Sequence, residues 1–220
     1  MRDRRSLEVR IAALACLLAC IGDVVVPEVL TGNYPGYDPK VLSESMLGAA
    51  GSPVAHLFTA WSICLAVLFF VFARGLHQAF TTHVQPHVPA SWLLAMYGIG
   101  EGLGSGLFPF NHDGQGLTMA GKVHVVMSMS GVAALYLLPL SWLLWPPEKG
   151  PRLKTLSTAT LVSGGSLLVL FGLSKMEVIG FLGFWQRTFL VVYYLYLLVL
   201  CRAMLRTLPP RVNREREVAP

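Results

Sequence analysis

Six apolar runs, each about the twenty residues that a helix needs to cross a hydrocarbon core of about 30 Å, set the limits on what this chain can fold into. They cover residues 11–30, 53–73, 91–110, 122–145, 156–174 and 184–204. In lipid, every backbone N–H and C=O must be paired inside its own segment or around a closed barrel. The ten-residue alternation of a barrel is missing, so the expected fold is all-α, an integral membrane bundle of six transmembrane helices. The fifth run, with Gly164 and Gly165, is the least hydrophobic at its centre, which makes five the nearest competing count.

Charge supports this reading. Only 13% of the 220 residues are charged, against about 25% in ordinary soluble domains, too little polar surface for a water-facing globule. The 17 basic residues exceed the 12 acidic ones, a balance that in a soluble protein would suggest nucleic acid. Here the bases flank apolar runs, as they do in helices oriented by a membrane. The expected partner is therefore the lipid bilayer and no nucleic acid, and the sequence leaves the oligomeric state open. Arg2, Arg4, Arg5, Arg10, Arg74, Lys149, Arg152, Lys154, Arg202, Arg206, Arg211, Arg214 and Arg216 fall on one side, and only Lys40, Lys122, Lys175 and Arg187 on the other. The positive-inside rule then puts the N-terminus and C-terminus in the cytoplasm, with the chain multi-pass in the cell inner (plasma) membrane.

Residues 1–207 read as one transmembrane domain. Residues 208–220 read as a disordered cytoplasmic tail, since three prolines and Arg214-Glu215-Arg216-Glu217 cannot bury enough apolar surface to fold. The basic residues 1–10 ahead of an apolar run also resemble a secretory signal, but the run continues to Leu30 and makes a full span. Cys16, Cys20, Cys64 and Cys201 all lie in apolar stretches and read as small packing residues. His77, His83 and His87 are expected in a short solvated loop.

Polar and titratable residues gather on the side that bases avoid. The first outer loop carries Asp38, Ser43 and Glu44, the second carries His112 and Asp113 and leads to His124, and the third carries Lys175, Glu177, Gln186 and Arg187. In the first loop Pro35-Gly36 and Asp38-Pro39 are turn chemistry, and Ser52-Pro53 reads as an N-cap followed by proline in the first helical turn. The order and spacing of Pro35-Gly36-Tyr37-Asp38-Pro39, Ser43-Glu44, Gly51-Ser52-Pro53, Phe108-Pro109, Asp113, His124 and Gln186-Arg187 resemble those of a family of prokaryotic six-helix membrane proteins known as domain of unknown function 998. The resemblance covers most of the chain, with Gln186 where that family leads one to expect a glutamate, and it implies the six-helix fold and no particular activity.

Three chemistries suit these residues. Asp38, His112, Asp113 and His124 form the His and carboxylate ligand set of a divalent metal such as zinc, with a position open for water. Without a metal, His124 is a general base for Ser43, with Glu44 beside it and Arg187 stabilising an anionic oxygen. Haem ligation by His56 and His124 is a third possibility. Within the spans, Asp23 and Glu101 stand about 18 Å and about 15 Å from the cytoplasmic ends at about 1.5 Å per residue. An ionised group there costs at least about 2.5 to 3.5 kcal/mol, so both should face a polar ligand-binding cavity, with His56 at the head of the second helix. Gly98, Gly102 and Gly106 form a ridge for close helix packing, with Gly100 and Gly104 on a nearby face.

Three functions follow as alternatives. The first is an enzyme acting on a lipid or amphiphilic substrate at the outer face. The second is a transporter or small-molecule-binding protein using Asp23 and Glu101, although no internal repeat of the kind such proteins often carry is visible. The third is a non-catalytic membrane assembly partner.

Overall fold

The computed structural model of the chain describes residues 2–80, 87–144 and 151–209. Helix α1, Arg2–Thr31, is followed by an ordered loop and a short 3-10 helix, Glu44–Gly48. Next come α2, Ala55–Phe80, and then α3, His87–Tyr97, which runs straight into a π-helix, Gly98–Gly104, and a last turn α4, Ser105–Leu107. A hairpin of two-residue strands, β1 His112–Asp113 and β2 Gly116–Leu117, leads into α5, Met119–Leu143. Helices α6, Pro151–Lys175, and α7, Leu182–Leu205, complete the chain. The fold is an all-α, membrane-like bundle. Among the described residues, α1, α2, α5, α6 and α7 are long and apolar enough to cross a membrane.

The fifth apolar run therefore makes a helix of full length. The third is the irregular one, because its helical path changes winding over Gly98–Gly104. Helices also outrun the apolar segments. The first begins at Arg2, and α2 continues to Phe80, because a helix need not stop where the hydrocarbon stops. His77 thus lies within α2 and His87 opens α3, which corrects the expected loop, while His83 and the tail from 210 onward fall outside the described residues.

The helices close into a ring. Each packs on its neighbour in sequence, α1 on α2, α2 on α3, α3 on α5, α5 on α6 and α6 on α7, and α7 returns to α1. Small residues bring α1 close to its neighbours, with Ala12, Cys16 and Ala19 fully buried at helical spacing. The glycine-rich stretch of the third segment serves two partners. A Cβ on Gly102 would stand 2.6 Å from the Ala66 side chain in α2, and one on Gly100 would stand 2.5 Å from the Met127 carbonyl in α5. With no hydrophobic drive between helices in lipid, such close approach is what van der Waals attraction requires.

The first loop is held by its own turns and packing. Tyr37 N–H donates to the Tyr34 carbonyl at 3.1 Å, and Gly36 has φ of +81°, the left-handed conformation that the third position of a type II turn needs. Tyr37 and Leu47 pack on Leu30, Val54 and Phe58. Ser52 Oγ accepts from the Val54 N–H at 3.3 Å, and regular helix begins at Ala55.

Candidate functional site

The ring encloses a cavity of about 370 Å³. Each helix of the ring contributes to its wall, and the 3-10 helix of the first loop contributes Glu44 and Ser45. One part of the lining is polar, with Asp23, Ser43, Glu44, Ser45, Glu101, His124, Ser128, Lys175 and Gln186. Ser62, Tyr97 and Ser105 add further polar groups, and the apolar part of the lining includes Leu65, Val132, Leu168, Phe171, Phe189 and Leu190.

Asp23 ties four segments together. Trp61 Nε1 in α2 donates to Oδ1 at 2.8 Å, and the Tyr194 hydroxyl in α7 donates to Oδ2. The Tyr97 hydroxyl of α3 meets the Tyr194 hydroxyl at 2.7 Å. Glu101 sits in the π-helix, where the extra residue per turn displaces side chains from regular helical positions, a geometry frequent at functional sites. Ser128 Oγ donates to its Oε1 at 2.6 Å, and Ser105 Oγ to its Oε2 at 3.3 Å. Both carboxyls thus reach the same cavity with hydroxyl or indole donors in place of a cation at contact distance.

His124 is in the first turns of α5, whose start is capped by Thr118 Oγ1 accepting from the Gly121 N–H at 3.1 Å. The residue is 2% exposed. Nδ1 lies 2.7 Å from the Phe108 carbonyl and Nε2 lies 3.0 Å from Ser45 Oγ. A carbonyl can only accept, so Nδ1 carries the hydrogen. In the neutral ring, Nε2 then presents its lone pair to the Ser45 hydroxyl. The hydroxyl beside the imidazole is that of Ser45, which corrects the expected pairing with Ser43. Ser43 is buried and holds the loop through its carbonyl, which accepts from the Tyr37 hydroxyl at 2.9 Å. Burial raises the Tyr37 phenol above its ordinary value, so it remains a donor.

Arg187 is a clasp on the first loop. Its Nε donates to Glu28 at 2.7 Å and stands 3.6 Å from Glu44, Nη1 donates to the carbonyls of Pro39 at 2.7 Å and Leu42 at 3.3 Å, and Nη2 donates to the Tyr37 hydroxyl at 3.3 Å. Its donors are committed to the protein, and it does not line the cavity, so the expected role in stabilising a substrate oxygen is corrected to a structural one. Glu44 does line it. Its N–H donates to Gln186 Oε1 at 3.0 Å, so the amide at that position supplies the acceptor. Its carboxyl is pushed up to about 8, chiefly by burial, with the negative charges of Asp23, Glu101 and Glu28 adding to the shift and Arg187 opposing it.

The remaining expected ligands stand apart. Asp38 Oδ1 accepts from the Lys40 N–H and Asp113 Oδ1 from the Gln115 N–H, both at 2.9 Å, local turns that leave both residues exposed. His112 is exposed and packs edge-on against Phe110, which also contacts His124. Among the described residues, no three His, Cys, Asp or Glu side chains gather as a metal site. The expected convergence of Asp38, His112, Asp113 and His124 is therefore absent. His56 is exposed and outside the lining, because the cavity face of α2 runs through Phe58, Ser62 and Leu65. His124 lines the cavity while His56 does not, so the expected haem pairing of the two is not brought together.

Several lining residues escaped sequence reasoning, namely Ser45, Ser105, Ser128, Tyr97 and the cavity role of Lys175. Part of the signal was available. Glu101 with Ser105, and His124 with Ser128, stand four residues apart and share helix faces. Lys175 is exposed at the cavity's rim, with Nζ 5.7 Å from each of the Phe110 and Phe171 ring centroids.

No curated protein and no solved structure matches this chain. The family model described as protein of unknown function DUF998 matches residues 11–203, nearly the whole helical bundle, and the chain belongs to that family.

Proposed function

We propose that the chain is a six-span protein of the cell inner (plasma) membrane, with both termini cytoplasmic, that takes a small amphiphile into the cavity between its helices. The third span is the stretch 87–107, in which α3, the π-helix and α4 follow one another without a break. Two contacts support termini on a common side. Cys201 near the end of α7 meets the Ala13 carbonyl near the start of α1 at 3.7 Å, while Arg187 near the start of α7 meets Glu28 near the end of α1. The two helices run antiparallel, so the start of α1 and the end of α7 lie at one end of the bundle. The excess of Lys and Arg at that end favours the cytoplasm.

The observation that carries the reading is the divided lining of one cavity. A volume of about 370 Å³ lies in the range of small-molecule sites. Its polar wall gathers Ser45, His124, Glu101, Ser128 and Glu44, and its apolar wall gathers Leu65, Val132, Leu168, Phe171, Phe189 and Leu190. A head group of hydrogen-bonding character joined to a hydrocarbon tail satisfies both. Three carboxyls, Asp23, Glu44 and Glu101, share this lining with one lysine, and an anionic head would either repel them or force them to stay protonated, which disfavours a fixed negative charge there.

The test is saturable binding of an uncharged alkyl probe with an environment-sensitive fluorophore to the full chain in nanodiscs. Glu101→Gln should weaken binding by about tenfold, the loss of one charge-assisted hydrogen bond of about 1.5 kcal/mol. Val132→Trp, which fills the apolar wall, should abolish it. Binding unchanged in both variants would sink the proposal. Transport is the second reading, favoured by the reach of the cavity from Glu44 in the outer loop to Asp23 within α1. Proteoliposome uptake that disappears in Glu101→Gln would support it.

A further inference from the structure

We propose that Ser45 and His124 are the nucleophile and general base of an acyl-transfer site, hydrolysing an uncharged or cationic acyl ester or amide whose chain lies along the apolar wall. The proposal rests on the reading of the cavity as an amphiphile site, and names its substrate class and chemistry.

The geometry is that of an activated hydroxyl. Ser45 Oγ stands 3.0 Å from Nε2 of His124, inside the reach of direct proton transfer. The ring is held by the 2.7 Å contact of Nδ1 to the Phe108 carbonyl, which sets the tautomer as a third group does in other nucleophile and base pairs. That carbonyl is a positioning group. The hydroxyl is placed with similar care, since its 3-10 helix is pinned by the Glu44 N–H to Gln186 and by the loop that Arg187 clasps. Both side chains line the cavity, so a bound carbonyl carbon can meet the hydroxyl there. Lys175, the cation of this lining, supplies positive charge for the oxygen that becomes anionic during attack. The three carboxyls argue against a phosphate-bearing substrate.

The reaction closes without an external oxidant or reductant. Ser45 Oγ bonds to the acyl carbon, and its proton passes to Nε2 of His124. The bond from the acyl carbon to the head-group oxygen or nitrogen then breaks, and the leaving atom takes the proton from Nε2. Water adds to the acylated serine, giving its proton to Nε2, and the acyl carbon to Oγ bond breaks as that proton returns to Ser45. One water is consumed, and a carboxylic acid and an alcohol or amine are formed.

An uncharged alkyl fluorophosphonate tests this on the full chain in nanodiscs, with the adduct located by tandem mass spectrometry. A single adduct on Ser45 is expected, absent in Ser45→Ala, retained in Ser52→Ala, and formed at least about 100-fold more slowly in His124→Gln. If the histidine variant does not fold, the adduct's position in the wild-type chain decides the matter. Saturable binding of the fluorescent alkyl probe without any adduct on Ser45, or an adduct on Ser43, would overturn the catalytic proposal and leave the binding reading standing. Loss of both probe binding and labelling would overturn both.

Discussion

The two sides of the helix ring use residues of similar apolarity and reach opposite results. On the side of α1 and α2, Ala12, Cys16 and Ala19 are fully buried, and a Cβ on Gly75 would lie 2.0 Å from that of Ala12. On the side of α5 and α6, Val132, Leu168 and Phe171 are only half-buried along the cavity, and a Cβ on Gly172 would meet nothing within 4 Å. Hydrophobicity does not separate these surfaces, because lipid is as apolar as either of them. Side-chain size decides where backbones touch and where a chamber is left, and the polar residues then collect in the chamber.

The hardest test of that contrast is a glycine on the packed side. Gly102→Leu should cause the largest effect, because its Cβ would sit 2.6 Å from the Ala66 side chain and 2.8 Å from the Ala66 backbone nitrogen. Backbone cannot yield as a flexible side chain does, so a loss of about 3 kcal/mol or more is expected. Thermal unfolding in detergent, with size-exclusion chromatography, reads it. A wild-type melting temperature would break the account of the third segment.

Arg187→Ala should come next. The residue joins α1, the first loop and α7 through Glu28, Tyr37 and two loop carbonyls. Arg187 is 17% exposed and Glu28 is 45% exposed, so solvent screens part of the pair. The expected loss is about 2 kcal/mol, from hydrogen bonds to a charged group. Limited proteolysis should then cut the first loop at a protease concentration that spares the wild type. Arg187→Lys should rescue little, since an ammonium cannot replace the fork.

What could be read before the fold was known follows from how each feature is encoded. The bilayer imposes a length, so the apolar runs located helices α1, α2, α5, α6 and α7 to within a turn or two of their apolar cores. The glycine spacing of the third run foretold close approach, yet the π-winding over Gly98–Gly104 has no propensity signature of its own. The site was harder to read. Ser43 and Ser45 lie two residues apart in a loop without hydrophobic periodicity, so nothing local says which one meets His124. Likewise Arg187 looks like a free cation until the carbonyls of Pro39 and Leu42, some 145 residues earlier in the chain, are brought to it.

A pH-dependent effect separates the cavity from the packed contact of α1 and α2. The Glu44 carboxyl, raised to about 8 in the fold from 4.5, binds its proton more tightly folded than unfolded. Stability should therefore fall as pH rises from about 4.5 to about 8, because the unfolded chain has already lost this proton and the folded chain has yet to lose it. Glu44→Gln removes the titration. Its melting temperature should be flatter across that window and higher than the wild type at the alkaline end, and an unchanged slope would mean that Glu44 titrates as a solvated group.

The least costly substitution is the one that turns the comparison over. Gly172→Leu places the same side chain as Gly102→Leu on a helix of the same bundle, but into space that the cavity already leaves open. No backbone must shift, and leucine replaces the poorest helix former save proline, worth about 0.5 to 1 kcal/mol in helix propensity. The melting temperature should hold or rise slightly. Probe binding should fall, because the added side chain occupies volume beside Phe171 and Leu168 that the hydrocarbon tail would fill. A variant that keeps its stability and loses its ligand ties the chamber to binding. One that loses stability as Gly102→Leu does would show that α6 packs as tightly as α1, and the difference between the two sides would vanish.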